Sequence, residues 1–231
     1  RSQTRRPDVI LGVDSGSSDG SATLIRDARG QVIAWNHRYE HSKVLNFGLK
    51  HLRTDLVLVL SSHTVLESPD TLARMVEAMR DPRTACVSLK WDSDPFYTDA
   101  IDWHELRAKG LKFGSIYSNS MGLFRRSLWE QQPFDETLIT SEDYAWAIQH
   151  LALGHICRRL ALPFRYRRSG YNRDLEFALI VFHLARKYRL KVTWLGLRAT
   201  VTAWLKAIFK REDSAGLHRA RLIAFCRALA G

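Results

Sequence analysis

The chain has 231 residues, a formal net charge of +11, 45% apolar and 26% charged residues. That size buries one real core with an appendage rather than two full domains, and the composition is that of a soluble globular protein. Cys86, Cys157 and Cys226 lie far apart without CxxC spacing, which excludes a recognisable zinc site or disulfide framework and fits a reducing compartment. No apolar run reaches the ~20 residues needed to span a bilayer, and no signal peptide opens the chain.

Residues 1–7 are polar and basic and read as a frayed lead-in. Residues 9–21, VILGVDSGSSDGS, are an apolar run that meets Asp14 and then a Ser/Gly cluster carrying Asp19. A buried strand ending in small residues lets backbone approach a ligand, while a carboxylate at its carboxyl end accepts hydrogen bonds from ring N–H or hydroxyl groups. The same residues also make an ordinary tight turn. A short helix over 22–27, a turn at 28–30 and a strand over 31–35 follow. Residues 40–52 have Val44, Phe47, Gly48 and Leu52 near helical spacing, with Ser42 as N-cap.

DLVLVL, residues 55–60, predicts a central strand buried on both faces, ending at Ser61-Ser62-His63. Ser68-Pro69-Asp70 reads as a helix start, followed by an apolar face of Leu72, Met75, Val76 and Met79. A strand over 84–91 and a polar loop over 92–99 come next. A short helix over 101–109 carries Trp103 and His104, which either line an acceptor pocket or, for the Trp, fill core. A strand over 111–117 leads into SNSMGLFRRSLWEQQPFDE. Ser141 then caps a helix with Tyr144, Ala147, Ile148 and Leu151 on its apolar face, closed by Gly154.

In this order the landmarks resemble family 2 glycosyltransferases: the DSGSSDGS loop, the helical segment over 40–52, the acceptor-side segment SNSMGLFRRSLWEQQPFDE, and Glu142-Asp143 seven residues after Phe134-Asp135. The resemblance covers roughly residues 9–168. It implies an α/β GT-A fold, Rossmann-like with a mostly parallel central sheet flanked by helices, over residues 1–170, and a basic helical C-terminal appendage over 171–231. It further implies transfer of a sugar from a nucleotide-diphosphate donor (UDP-, GDP- or dTDP-linked) to an acceptor hydroxyl, inverting and non-processive. That family normally has a strand and a helix ahead of the loop, which this sequence does not contain.

Residue by residue, the resemblance makes Asp143 the base that takes the acceptor proton and Glu142 its neighbour. It assigns Asp14, Ser15, Gly16, Asp19, Lys43, Asn46 and Ser61 to the donor. His41 also matches the second landmark, and Ser118, Asn119 and Ser120 would face the sugar. Where the family carries a metal-binding Asp-x-Asp, this chain has Ser61-Ser62-His63. A serine and an imidazole are poor ligands for Mg²⁺ or Mn²⁺. His63 is therefore a single retained metal ligand, a hydrogen-bond donor to phosphate, or a residue without a role. Arg165, Arg167 and Arg168 stand where the family often has a further metal-binding His. Arginine pairs bidentately with phosphate oxygens, so these residues replace the metal in part or belong to a basic surface.

The charge is lopsided: from His155 onward there are 17 Lys/Arg against 4 Asp/Glu. Helices expected over 173–188, 191–210 and 214–229 carry it. The second has tryptophans at its apolar edge, and such a helix either lies on an anionic membrane or packs on the catalytic domain or a partner chain. The expectation is a cytoplasmic protein working on a glycan or lipid-linked acceptor, with the inner face of the membrane as one of these alternatives for its basic helices. Two other readings are a non-catalytic nucleotide-sugar or glycan-binding relative, favoured by the lost Asp-x-Asp, and a polyanion binder, prompted by charge alone and lacking any nucleic-acid motif.

Overall fold

The structure, a computed structural model, describes residues 3–91, 96–112, 116–167 and 174–192. It begins with a small parallel unit. β1 (Leu11–Asp14) and β2 (Gln31–Ala34) pair in parallel, with α1 (Ser21–Asp27) crossing between them. Both strands and α1 match the expected segments. α2 (His41–Leu49) then lies close on β1, since a Cβ at Gly48 would sit 2.7 Å from Val13 Cγ2. Any larger residue there would push the helix off the strand.

The main sheet has five strands in the order β3-β7-β5-β8-β6, formed by β3 (Leu56–Leu60), β5 (Thr84–Leu89), β6 (Ala100–Ile101), β7 (Met121–Arg125) and β8 (Ile156–Leu160). It is mixed: β3, β5 and β8 run one way, and β6 and β7 the other. A two-residue period sorts its side chains onto two faces. Val57, Ala85 and Phe124 enter the larger core, under α6 (Glu142–Ala152) and α7 (Asp174–Tyr188). Met75, Val87, Leu89, Met121 and Leu123 form the second core, under α3 (Thr71–Ala78). α7 joins the larger core through Val181, Leu184 and Ala185, and its Phe177 ring lies 5.3 Å from that of Tyr144. The other two C-terminal helices expected from the sequence lie outside the described residues.

Several local expectations change. β3 is the edge strand of its sheet among the described residues, with Leu60 46% exposed, because its apolar run pairs only with β7. Residues 111–117 make no strand among the described residues; Leu111 forms a lone bridge to Val192, and the strand is β7. α4 (Trp103–Lys109) is present, and Trp103 packs against the core with its ring 5.9 Å from Tyr188. Two of the three expected serine caps are replaced, and the third, Ser141, is the N-cap of α6 without a side-chain cap bond. Ser42 is buried inside the first turn of α2, whose N-cap is Glu40. α3 starts at Thr71, where Gln3 Oε1 accepts from Leu72 N at 3.0 Å. That side chain, with the Thr4 N–H bond to Pro69 O, also pins the lead-in that reads as frayed. Ser141 precedes α6 in the left-handed region (φ 62°) with no side-chain cap bond. Cys86 and Cys157 face each other across β5 and β8 as buried free thiols, Sγ to Sγ 3.3 Å.

His150, near the end of α6, is 2% exposed, and among the described residues neither ring nitrogen has a hydrogen-bond partner. Its ring lies 4.0 Å from Trp146 and 5.5 Å from His155. Burial, and secondarily the charge of His155, hold its pKa down at about 4. The unfolded chain therefore binds the proton first, and stability falls as pH drops from the free-imidazole range toward 4. His150→Leu is expected to remove roughly 1–2 kcal/mol of that acid-induced loss. Urea titrations of parent and variant at pH 7 and pH 5 measure it, and an identical loss in both refutes it.

Candidate active site

Three chain segments carry the candidate residues: α2 packs on β1 and reaches Glu142 through His41, and Ser61 N–H joins the end of β3 to the turn before β7. The first is the loop after β1. Asp14 Oδ1 accepts from Ser17 N at 3.1 Å and Asp19 Oδ1 from Ser21 N at 3.0 Å, while Gly16 and Gly20 take left-handed φ of 100° and 80°. Those bonds, from the Ser17 and Ser21 side chains and N–H groups, hold both carboxyls below their ordinary range. The loop is exposed. Ser15 lies in the same exposed loop. Lys43, on the outer side of α2, pairs with Glu40 at 2.8 Å.

The second segment is the end of β3. Ser61 N donates to Ser120 O at 3.0 Å, which joins this strand end to the turn before β7. Ser61 Oγ accepts from His63 N at 3.3 Å. The short antiparallel pair β4 (Thr64–Leu66) and β9 (Phe164–Tyr166) follows, and Arg167 N donates to His63 O at 2.9 Å. The exposed His63 and Arg167 are thus neighbours in the fold, 104 positions apart in the sequence. Arg165 points elsewhere: its Nε meets Glu67 Oε1 at 3.1 Å, so it is spent on a surface pair. Arg168 lies outside the described residues.

The residues at the end of β3 do not fit a divalent ion. They supply two hydroxyls and one imidazole where a hard cation needs carboxylates. Among the described residues no three His, Cys, Asp or Glu side chains cluster to hold a metal. No step below passes through one.

The third segment is the acidic pair that opens α6. Glu142 is 3% exposed; its Oε1 lies 3.4 Å from Asn119 Nδ2 and 3.5 Å from His41 Nε2. Asp143 Oδ2 accepts from Asn119 N at 2.8 Å and Oδ1 from Tyr144 N at 2.7 Å. Tyr117 Oη donates to Asn119 Oδ1 at 3.1 Å, and it fits because residue 122 is Gly, where a Cβ would meet that oxygen at 2.5 Å. Asn119 is therefore turned inward by its neighbours rather than projecting toward a sugar. Burial and the adjacent Glu142 charge push Asp143 up to about 7, against the pull of the two N–H donors and of His41. A carboxyl that exchanges its proton near neutrality is suited to take one from a hydroxyl.

Asn46 has another place than a donor contact. Its Nδ2 donates to Phe134 O (2.8 Å) and Glu136 Oε1 (2.9 Å), and its Oδ1 accepts from Trp129 Nε1 (2.9 Å) and Phe134 N (3.2 Å). All four bonds that a carboxamide can make are spent inside the protein. It clamps α2 to the loop that leads into α6. Sequence reasoning missed Tyr39 and Tyr117 altogether, because neither lies in a recognisable spacing with the residue it touches.

Residues 1–137 match the family described as glycosyl transferase family 2. The chain belongs to that family. The matched span ends just before Glu142. A curated relative, the O-antigen chain rhamnosyltransferase RfbN of Salmonella typhimurium, is 25% identical over 174 residues, which is 67% of this chain and 55% of that one. The chain thus spans about half the length of that relative. Among solved structures, the mannosyltransferase PcManGT of Pyrobaculum calidifontis, in complex with GDP-Man and Mn²⁺, has a TM-score of 0.60 at 20% identity, covering 99% of this chain and 73% of that one. Glucosyl-3-phosphoglycerate synthase of Mycobacterium tuberculosis gives 0.56 at 15% identity, covering 80% of this chain and 71% of that one. The fold is accordingly the α/β fold of the GT-A enzymes. Among the described residues no helix is long and apolar enough to cross a membrane.

Proposed function

We propose that this chain transfers a sugar from a nucleoside-diphosphate donor to an acceptor hydroxyl, with inversion and one sugar per encounter, in assembly of a cell-surface polysaccharide or glycolipid. The observation that carries the reading is Asp143: a partly buried carboxyl, its oxygens oriented by two backbone N–H groups, with its proton affinity raised to neutrality. Its free lone pairs take the acceptor proton as that oxygen attacks the anomeric carbon. The bond from that carbon to the diphosphate breaks, and the nucleoside diphosphate leaves with the electron pair. A single base and an in-line leaving group need no enzyme nucleophile, which is why inversion follows.

The exposed loop of Asp14, Ser15, Gly16 and Asp19 takes the nucleoside, and Ser61, His63 and Arg167 face the diphosphate. There a guanidinium supplies the charge that a metal supplies in a carboxylate-built site. The donor is UDP-, GDP- or dTDP-linked; the mannosyltransferase relative with GDP-Man and the rhamnosyltransferase relative make GDP-mannose and dTDP-rhamnose the first to try. The acceptor is a glycan or lipid-linked sugar, reached from the cytoplasmic side with the basic C-terminal residues against an anionic membrane.

Calorimetric titration of UDP, GDP and dTDP, each with Mn²⁺ and with EDTA, tests the donor site. Binding by one nucleotide that survives EDTA is expected, and Arg167→Ala is expected to weaken it about ten- to a hundred-fold. Binding that requires Mn²⁺ makes His63 a metal ligand instead. The degenerate Ser61-Ser62-His63 also favours a second reading, a non-catalytic nucleotide-sugar binder, which tight binding without any turnover of the donor panel would establish.

A further inference from the structure

We propose that His41 is a positioning residue for this reaction: its imidazole, steadied by Tyr39, is the counter-group that holds the Glu142 carboxylate against Asn119 and thereby sets Asp143. The inference rests on Asp143 being the base and adds how that base is kept in order.

Glu142 carries the argument. A carboxylate only 3% exposed cannot remain charged without donors around it. Asn119 and His41 both approach the same oxygen, Oε1, from opposite chain segments: the turn before β7 and the first turn of α2. Tyr39 Oη lies 2.8 Å from the other imidazole nitrogen, Nδ1. With Tyr39 donating to Nδ1, the neutral imidazole carries its proton on Nε2, toward Glu142. With Tyr39 accepting from Nδ1–H, Nε2 donates in the imidazolium. The arrangement that serves the buried carboxylate is the one with a proton on Nε2.

The placement is costly for a merely structural residue. A cation in the first turn opposes the helix dipole, and the His41 side chain is 43% exposed, where an ion pair contributes ~0–1 kcal/mol of stability. The consequence for Asp143 is electrostatic. The charge of Glu142 raises its proton affinity, and His41 lowers it. Among the described residues, other ionisable groups that feel the pair are Tyr117, beneath the turn before β7, and Cys86, on β5. Burial holds Tyr117 and Cys86 far above their ordinary range, so they stay neutral while Asp143 titrates. Lys43, one helical step along, is occupied by Glu40. His41 is therefore the group whose removal changes the field at Asp143 most directly.

The test compares the full chain with His41→Gln, His41→Lys and Tyr39→Phe. Release of nucleoside diphosphate from dTDP-rhamnose, GDP-mannose and UDP-glucose, with water as acceptor, is followed between pH 5.5 and 9.5. The same proteins are titrated by ¹³C NMR of the Asp143 carboxyl, which needs no turnover. In His41→Gln the acid limb of kcat/KM and the carboxyl midpoint should both move to higher pH by about one unit, from about 7, which is about a fivefold loss at pH 7 that is regained at pH 9. Donor KM should stay the same. His41→Lys should move both back toward the parent, and Tyr39→Phe should give a smaller shift in the direction of His41→Gln. A uniform loss at every pH with an unmoved carboxyl midpoint would mean that His41 only supports the fold, and overturns the proposal. Turnover surviving in Asp143→Asn overturns the assignment of the base, and this proposal with it. Turnover lost in Asp143→Asn beside an unmoved midpoint in His41→Gln overturns this proposal alone.

Discussion

Asp143→Asn is expected to lower turnover of the donor by about a hundred- to ten-thousand-fold while leaving nucleoside-diphosphate binding within a few-fold of the parent. The amide keeps the size of the carboxyl and one acceptor for Asn119 N–H or Tyr144 N–H, but it cannot take a proton from a hydroxyl. Binding should survive because the loop after β1 and the pair His63 and Arg167 belong to other elements. The parent supplies a second signature. Its base is active only when deprotonated, so kcat/KM should climb as pH rises through about 7 and then level off. Folding stability runs the opposite way. A carboxyl whose folded pKa is raised favours the folded state when protonated, so that contribution fades as pH rises from the free-carboxyl range to about 7. Melts of parent and variant from pH 5 to pH 8 should therefore diverge, the parent losing stability that Asp143→Asn does not lose. Together the two slopes mark a group kept for chemistry at some cost to the fold. A variant that retains turnover, or a parent profile flat across pH 7, would remove Asp143 from the role.

What the sequence makes legible follows the range of the interactions. The apolar run LVLVL predicts β3, and the 3.6-residue spacing of Tyr144, Ala147, Ile148 and Leu151 predicts the buried face of α6, because each pattern lies within one element. The position of β3 at a sheet edge depends on its pairing with β7, more than 60 residues away, and no local pattern encodes it. The serine caps expected for α2 and α3 moved for the same reason. The preference is local, and in α3 a side chain from Gln3 supplies the bond that the cap would have made. The site divides likewise. Glu142-Asp143 and the Asp14 loop stand out as motifs, whereas the contacts that orient the acidic pair come from His41, Asn119 and Tyr117 on separate elements. His63 and Arg167 became neighbours only through the pairing of β4 with β9, and Arg165, equally conspicuous in the sequence, was taken by Glu67.

Asn46→Leu is expected to destabilise the protein by about 3–5 kcal/mol, the largest effect of any single substitution away from the chemistry. Leucine matches the shape of asparagine, so the loss reads hydrogen bonding rather than a cavity. Four groups lose their partner at once: the Trp129 indole N–H, both backbone groups of Phe134, and the Glu136 carboxylate. Trp129 and Phe134 are buried and cannot turn to water, and each orphaned group costs about 1–3 kcal/mol before the loop relaxes. Glu136 is exposed and can, so Glu136→Ala should cost less than about 1 kcal/mol. For a chain of this length each kcal/mol lowers the melting temperature by about 2–4 °C, which places the Asn46→Leu melt roughly 6–20 °C below the parent. The clamp also has a reading in catalysis. Residues 134–136 lead into Ser141, held at φ 62°, and directly into the Glu142-Asp143 pair. Releasing them at one end lets the start of α6 shift relative to α2, where His41 is anchored. Turnover of Asn46→Leu, measured well below its melting temperature, should therefore fall with nucleotide binding retained. Glu136→Ala should keep both. A variant that melts with the parent would show that the loop is held by its apolar packing, and that the four bonds to Asn46 merely accompany it.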